Sequence, residues 1–200
     1  YSDGSVQTEI NLEELKPLIA AVKEKGYEAI AVCLLFSYIN PAHELAVKEY
    51  LSAQLPDFPI VLSHQVSPEW REFPRISTTV MDAFVSPVIQ RYLSTLIDEL
   101  ETQLGSTQLH VMESNGGAMT AIAAREKPIQ TLLSGPVGGT IGGGVVSRTL
   151  NLPNLICVDM GGTSFDASLI IDGKPTISSE AELEALPLQM SIIDIHVIGA

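Results

Sequence analysis

Basic residues are scarce in this chain. Lys and Arg number 11 against 24 Asp and Glu, leaving a net charge of −13 and a pI near 4.5. A nucleic-acid partner needs a basic face, so that class is excluded. Long apolar runs are also missing. No stretch approaches the ~20 residues of a membrane span, and a mean hydropathy of +0.25 reflects a core. Cysteine is limited to Cys33 and Cys157. Both lie in apolar runs, which reads as two buried free thiols and not a disulfide or metal framework. That fits a reducing cytoplasm. No initiator Met or signal peptide opens the sequence, and it stops at Ile198-Gly199-Ala200 inside a pattern. It reads as a piece of a longer protein.

The common nucleotide fingerprints are absent too. There is no Gly-x-x-x-x-Gly-Lys-Ser/Thr, and no strand is followed by Gly-x-Gly-x-x-Gly. The histidines His43, His64, His110 and His196 are scattered, and His43-Glu44 lacks the second His of a zinc helix.

What remains is enough for a core. A 200-residue chain with 46% hydrophobic residues can fold as one or two domains. Asn11 caps a helix with Glu14 in capping-box position; Leu15, Leu18, Ile19 and Val22 share a face and Gly26 stops it. Residues 29–36 read as a central strand. Asn40-Pro41 restarts a helix carrying Leu45, Val47, Leu51 and Leu55, and 59–64 is a short strand. This rhythm predicts an α/β layer structure with a largely parallel sheet.

Residues 67–75 read as a loop, with Trp70 as a packing anchor. Arg71 and Arg75 face an anion or pair with Glu69 and Glu72. Pro87 marks a kink or fresh start capped by Ser86. A long helix follows through Val88, Leu93 and Leu100 to Gly105. Residues 109–113 and 167–171 are strands, the second ended by the hairpin signal Asp172-Gly173. Asp194 and His196 fall in one strand over 192–198.

The segment Asp159-Met160-Gly161-Gly162-Thr163-Ser164-Phe165-Asp166 is the richest in chemistry. It follows the apolar run Leu155–Val158, read as a buried strand. Glycines let a backbone approach a bulky anion, successive N–H groups form an anion-binding concavity, and a strand-end carboxylate can hold Mg²⁺. On these residues alone, a phosphate-gripping hairpin and an ordinary tight turn both stand. Upstream, Gly135 to Leu150 has helical apolar spacing but glycines in its first turns. Each costs about 1 kcal/mol relative to Ala in a helix. Either something approaches Gly135, Gly139 and Gly143, which share a face, or the segment is a flexible loop.

Asp159 to Leu169 resembles the second phosphate loop of the actin-like ATPase superfamily. Further motifs point to one branch. Pro68-Glu69-Trp70-Arg71-Glu72-Phe73, Arg75-Ile76-Ser77-Thr78-Thr79-Val80 and Ala83-Phe84-Val85-Ser86-Pro87 are similar to the hydantoinase A/5-oxoprolinase family. So are Ser114-Asn115-Gly116-Gly117, Ser134–Gly139 and Asp194–Ala200. That family includes N-methylhydantoinase, 5-oxoprolinase and subunits of acetone and acetophenone carboxylases.

The resemblance implies an α/β fragment of an RNase-H-like, actin-like ATPase, with a mixed sheet flanked by helices. Residues 1–66 would end an N-terminal module, and 67–200 would begin the ATPase module. It implies an enzyme using ATP and Mg²⁺ to open cyclic amides by activating the carbonyl oxygen, with a partner subunit or domain of the hydantoinase B type. The alternatives are a carboxylase subunit acting on a ketone, or a non-enzymatic nucleotide switch. Carried onto this chain, Asp159 would sit by Mg²⁺. Gly161, Gly162, Thr163 and Ser164 would hold phosphates, and Asp166 would orient metal water or the hairpin. Gly135, Gly138 and Gly139 would line the cleft. The family's other Asp-Gly-Gly-Thr-type loop has no counterpart here, and Phe165 is bulkier than the pattern leads one to expect.

Overall fold

A computed structural model describes residues 1–106, 108–183 and 185–199; Ala200 of the terminal motif lies outside the described residues. The chain is α/β and forms two compact units. The first comprises Tyr1–Thr95, Lys127–Ile129 and Glu182–Gln189; the second comprises Leu96–Glu126, Gln130–Ala181 and Met190–Ala200.

In the first unit, a 3-10 turn at Leu12–Leu15 leads into α1 (Lys16–Lys25). Strand β1 (Ile30–Val32), helix α2 (Ala42–Gln54), strand β2 (Ile60–Leu62) and the single turn α3 (Ser63–Val66) follow. Asn11 accepts from the Glu13 N–H, and Gly26 takes the left-handed conformation that ends α1. Strands β1 and β2 pair in parallel, Ile30 opposite Ile60. Ile19 and Val22 of α1, Val47 and Leu51 of α2, and Ile60 and Leu62 of β2 form the core. Leu18 and Leu45, expected on inner faces, are exposed.

Residues 67–71 are non-helical, but helix α4 (Glu72–Leu104) takes in the second half of the loop expected over 67–75 and runs on through Pro87, where no fresh start occurs. Ser86 is not a cap; its hydroxyl donates to the Asp82 carbonyl at 2.8 Å. Trp70 is 66% exposed and anchors no core. Arg75, by contrast, is buried. It donates to the Ser37 and Ser63 hydroxyls and to the Leu34 carbonyl, and stands 3.9 Å from Glu72. The neighbouring Glu44 carboxylate is wholly buried. It accepts from the Ser63 hydroxyl at 2.6 Å, the Leu34 N–H at 2.9 Å and the His64 N–H at 3.1 Å. His64 Nδ1 lies 2.7 Å from the same carboxylate. His64 is therefore tied into the fold rather than presented to a ligand.

The second unit holds the hairpin of β3 (His110–Met112) and β4 (Ala118–Thr120), then α5 (Ala121–Glu126) and α6 (Ser134–Leu150). Its main sheet contains β5 (Leu155–Met160), β6 (Ser164–Ile171), β7 (Lys174–Pro175) and β10 (Ile195–Gly199), with β6 central and every pairing antiparallel. The paired strands β8 (Ile177–Leu183) and β9 (Leu186–Ile193) contribute residues to both units. Parallel and antiparallel pairings thus occur in separate sheets, and the largely parallel sheet is not what forms.

Other strand expectations shift as well. The expected strand over 29–36 is only three residues long. Asp194 divides the run at 192–198, so Ile192 ends in β9 and His196 lies in β10. Strand β5 is not buried on both faces: Ile156, Val158 and Met160 are exposed. Both cysteines are free but only half-buried. Asp172 and Gly173, with φ of 50° and 76°, make the tight turn between β6 and β7. Among the described residues no helix is long and apolar enough to cross a membrane.

Candidate functional site

The glycine-rich segment Gly135–Leu150 is a helix, and β5 and β6 show why. Cys157 of β5 lies against Gly143, where any Cβ would collide with its Sγ. Thr140 of α6 is within 2.6 Å of the Ser168 hydroxyl on β6. Close approach of helix to sheet therefore requires the missing side chain at Gly143. At Gly139 the reason is different: a Cβ there would meet no protein atom, and the residue borders an open cleft.

That cleft, about 200 Å³ in volume, lies between the first turns of α6 and the β5–β6 hairpin. Pro136, Gly139, Thr140, Asp159, Asp166 and Ser168 line it. It is smaller than the ~300–1,000 Å³ of pockets that enclose a whole ligand, so it suits one part of a larger one.

Register decides which side chains face it. Asp159 is the direct cross-strand partner of Asp166, and Cys157 of Ser168. Side chains alternate along a strand, so both pairs point to the α6 side of the sheet. Two carboxylates on one rung repel each other. Asp166 Oδ1 is buried and has no hydrogen-bond partner, while Asp159 is exposed at the mouth. Buried oxygens are normally satisfied. An unsatisfied carboxylate oxygen beside a second carboxylate is what a cation would relieve.

These residues fit Mg²⁺, which binds through one or two carboxylates and keeps water and phosphate oxygens for its other positions. Among the described residues no group of three or more His, Cys, Asp or Glu is placed to hold a metal. The carboxylates lining the cleft are those of Asp159 and Asp166.

The structure brings Asp159, Asp166 and Gly139 together. Gly161, Gly162 and Thr163 form the exposed tip of the hairpin, closed by a 3.0 Å bond from the Gly161 N–H to the Ser164 carbonyl. A Cβ at Gly161 or Gly162 would meet nothing within 4 Å, and neither has positive φ. The protein itself demands no glycine there; with the Gly161 N–H taken by Ser164, the side-chain-free tip and the Gly162 backbone are open to an outside group. Ser164 is half-buried opposite Gly199. Gly135 borders open space, while a Cβ at Gly138 would touch Met112. His196 pairs with Ala167, on the sheet face away from the carboxylates. Arg71, at φ 80°, stacks 4.9 Å from the Trp70 ring centroid. Sequence reasoning missed Thr140 and Ser168; an isolated hydroxyl carries no spacing signal.

Residues 75–200 match the family model described as hydantoinase/oxoprolinase, and residues 1–55 match that of its N-terminal region. The chain belongs to the hydantoinase/oxoprolinase family. It is 34% identical over its full length to caprolactamase subunit alpha of Pseudomonas jessenii, covering 29% of that protein. It is 36% identical to 5-oxoprolinase 1 of Arabidopsis thaliana, covering 94% of this chain and 15% of that one. The crystal structure of ATP-dependent caprolactamase from Pseudomonas jessenii superposes with a TM-score of 0.86 at 33% identity, over 100% of this chain and 29% of that one. Nucleotide-free acetone carboxylase, from work on ATP-dependent acetone carboxylation, gives 0.83 at 26%, over 94% and 27%. This member of the family thus spans less than a third of the length of these relatives.

Proposed function

We propose that the chain is the part of an ATP-dependent cyclic-amide hydrolase that holds the phosphate end of the nucleotide. The observation that carries this reading is the Asp159–Asp166 rung, with its unsatisfied buried oxygen, facing α6 across a cleft. The matched family and the caprolactamase and 5-oxoprolinase relatives support it. The fold we infer is a fragment of an RNase-H-like, actin-like ATPase, with one module ending near residue 66 and the next beginning at 67. We place it in the cytoplasm, beside a partner subunit of the hydantoinase B type.

Bound Mg-ATP would supply a phosphoryl group to the amide oxygen, activating the carbonyl carbon toward water so that the ring C–N bond breaks, the nitrogen takes up a proton, and phosphate is released. The chain's own residues position it. Asp159 and Asp166 hold the cation. Gly161 and Gly162 keep the hairpin tip free of side chains, and the Gly162 N–H, with the hydroxyls of Thr163 and Ser164, donates to phosphate oxygens. Gly139 keeps the α6 side of the cleft open, whereas Gly135 and Gly138, expected beside it, fall outside its lining. Phosphoryl transfer needs little more than such positioning and charge neutralisation.

A substrate panel of lactams, 5-oxoproline and hydantoins, run on the full-length protein with phosphate release and product analysis, tests this. Ring-opened product should form only with ATP and vanish in Asp159→Ala. Unchanged nucleotide affinity and turnover in that variant would overturn the reading. The likeness to acetone carboxylase favours a second reading, carboxylation of a ketone. Turnover that requires bicarbonate and a ketone, with no lactam opened, would select it.

A further inference from the structure

Two hydroxyls behind the carboxylates have no role in the account above. Thr140 and Ser168 are 2% and 4% exposed. Their oxygens lie 2.6 Å apart. Thr140 also donates to the Pro136 carbonyl at 3.3 Å. A hydroxyl has one proton. Either hydroxyl can donate in the 2.6 Å bond, and Thr140 has a single proton to share between Ser168 and Pro136. In both arrangements the pair ties β6 to α6 beside the cleft wall.

The placement matters more than the bond. Ser168 stands one same-face rung behind Asp166, and Cys157 one behind Asp159. That rear rung is fixed to α6 at both ends, Ser168 by the hydrogen bond and Cys157 by close packing on Gly143. Pro136 and Gly139, which line the cleft, sit in the same helical turns as Thr140. Burying hydroxyls is costly unless they are paired, and an apolar pair would fill the same space. What the hydroxyl pair adds over an apolar contact is a fixed distance and direction.

We propose that Thr140 and Ser168 are positioning residues that set the gap between the first turns of α6 and the Asp159–Asp166 rung, and thereby the fit of a cation and its phosphate. This rests on the nucleotide reading of the cleft. Neither hydroxyl touches the ligand; each acts through the elements it joins.

The test is a Mg²⁺ titration in the full-length protein, read both as the thermal stabilisation that ATP gives and as ATP-dependent turnover. Thr140→Val and Ser168→Ala should each raise the half-saturating Mg²⁺ concentration about tenfold, the low end for groups standing behind metal ligands. Turnover at saturating Mg²⁺ should be largely kept. The double variant should be no worse than either single one, since both remove one shared bond. Thr140→Ser, which keeps the hydroxyl, should restore the wild-type requirement. If Thr140→Val fails to fold, Ser168→Ala decides, because it removes the bond without altering the helix. A wild-type Mg²⁺ requirement in these variants overturns the proposal. So does a loss of turnover that no Mg²⁺ concentration recovers and that Thr140→Ser does not rescue. Asp159→Ala separates the two claims. If it keeps wild-type Mg²⁺ dependence, the nucleotide reading falls and takes this one with it. If it abolishes turnover while the hydroxyl variants are silent, only the positioning role is lost.

Discussion

Asp159 and Asp166 stand directly opposite each other on β5 and β6, so one rung of the hairpin carries two negative charges on one face. No basic side chain lies among the residues lining the cleft with them. Like charges at directly opposed positions cost roughly 0.2–1 kcal/mol. Asp159→Asn should therefore raise the thermal midpoint slightly in chelator and low salt. The same variant should lose the stabilisation that Mg-ATP gives the wild type. A variant that is less stable in chelator, yet still protected by Mg-ATP, would show that the rung holds no cation.

Neighbouring glycines of α6 should respond in opposite ways. At Gly143 an added Cβ meets Cys157 Sγ, and overpacking of this kind costs about 1–3 kcal/mol. At Gly142 the added Cβ meets nothing within 4 Å, so only the helix preference remains, about 1 kcal/mol in favour of Ala. Urea denaturation should place Gly143→Ala below the wild type and Gly142→Ala above it. Combining Gly143→Ala with Cys157→Ala should recover most of the loss. Equal effects at both positions would mean that packing on β5 does not select the glycine.

The sequence made some of this legible. Gly26, Asp172-Gly173 and the hairpin centred on Gly162-Thr163 each carry a local signal, because a turn is dictated by the residues that form it. The same holds for the opposition of Asp159 and Asp166, which follows once the hairpin is closed. Helix α4 is the instructive failure. Its inner face is polar: Arg75, Thr78, Thr79, Asp82 and Ser86 are buried, while Phe73, Ile76, Val80, Phe84 and Val88 are exposed. Thr78, Thr79 and Ser86 satisfy their hydroxyls on carbonyls one turn back. Arg75 and Asp82 find partners on other segments. Reading apolar spacing as the buried face inverts such a helix. Thr140 and Ser168 escaped for a related reason. Their partnership spans 28 residues and exists only after α6 has docked on β6.

The 200-residue chain on its own should release phosphate from ATP no faster than the buffer background. It supplies one glycine hairpin and a cleft of about 200 Å³, where the family resemblance implies a second phosphate loop facing the first. Positioning dominates phosphoryl transfer, so half a clamp gives little rate. A coupled phosphate-release assay at saturating Mg-ATP checks this. Turnover at the ~1–100 s⁻¹ of ordinary phosphoryl-transfer enzymes would show that the site is complete within these residues.

Asp82 should give the chain an unusual pH dependence. Its side chain is wholly buried on α4, with Oδ1 accepting the Ile129 N–H at 2.8 Å and Oδ2 unpartnered. Burial raises its pKa from 3.8 to about 6, against the pull of the Ile129 bond and the Lys127 charge. The folded state therefore holds this proton more tightly than the unfolded chain. Its contribution to stability is full below about pH 3.8, falls as pH rises toward 6, and is constant above. The loss across that window is on the order of 2–3 kcal/mol. Glu44 has the opposite sign. Burial disfavours its charge, but the Ser63 and His64 side chains and the Leu34 and His64 N–H groups outweigh that and hold its pKa below 4.5. Its contribution is present above that value and is lost as pH falls through the lowered one. Asp82→Asn keeps an acceptor for Ile129 but cannot ionise. Urea midpoints at pH 5 and pH 7.5 should differ in the wild type, with the acid side more stable, and should converge in the variant. Persistence of the full difference in Asp82→Asn would assign it to another group.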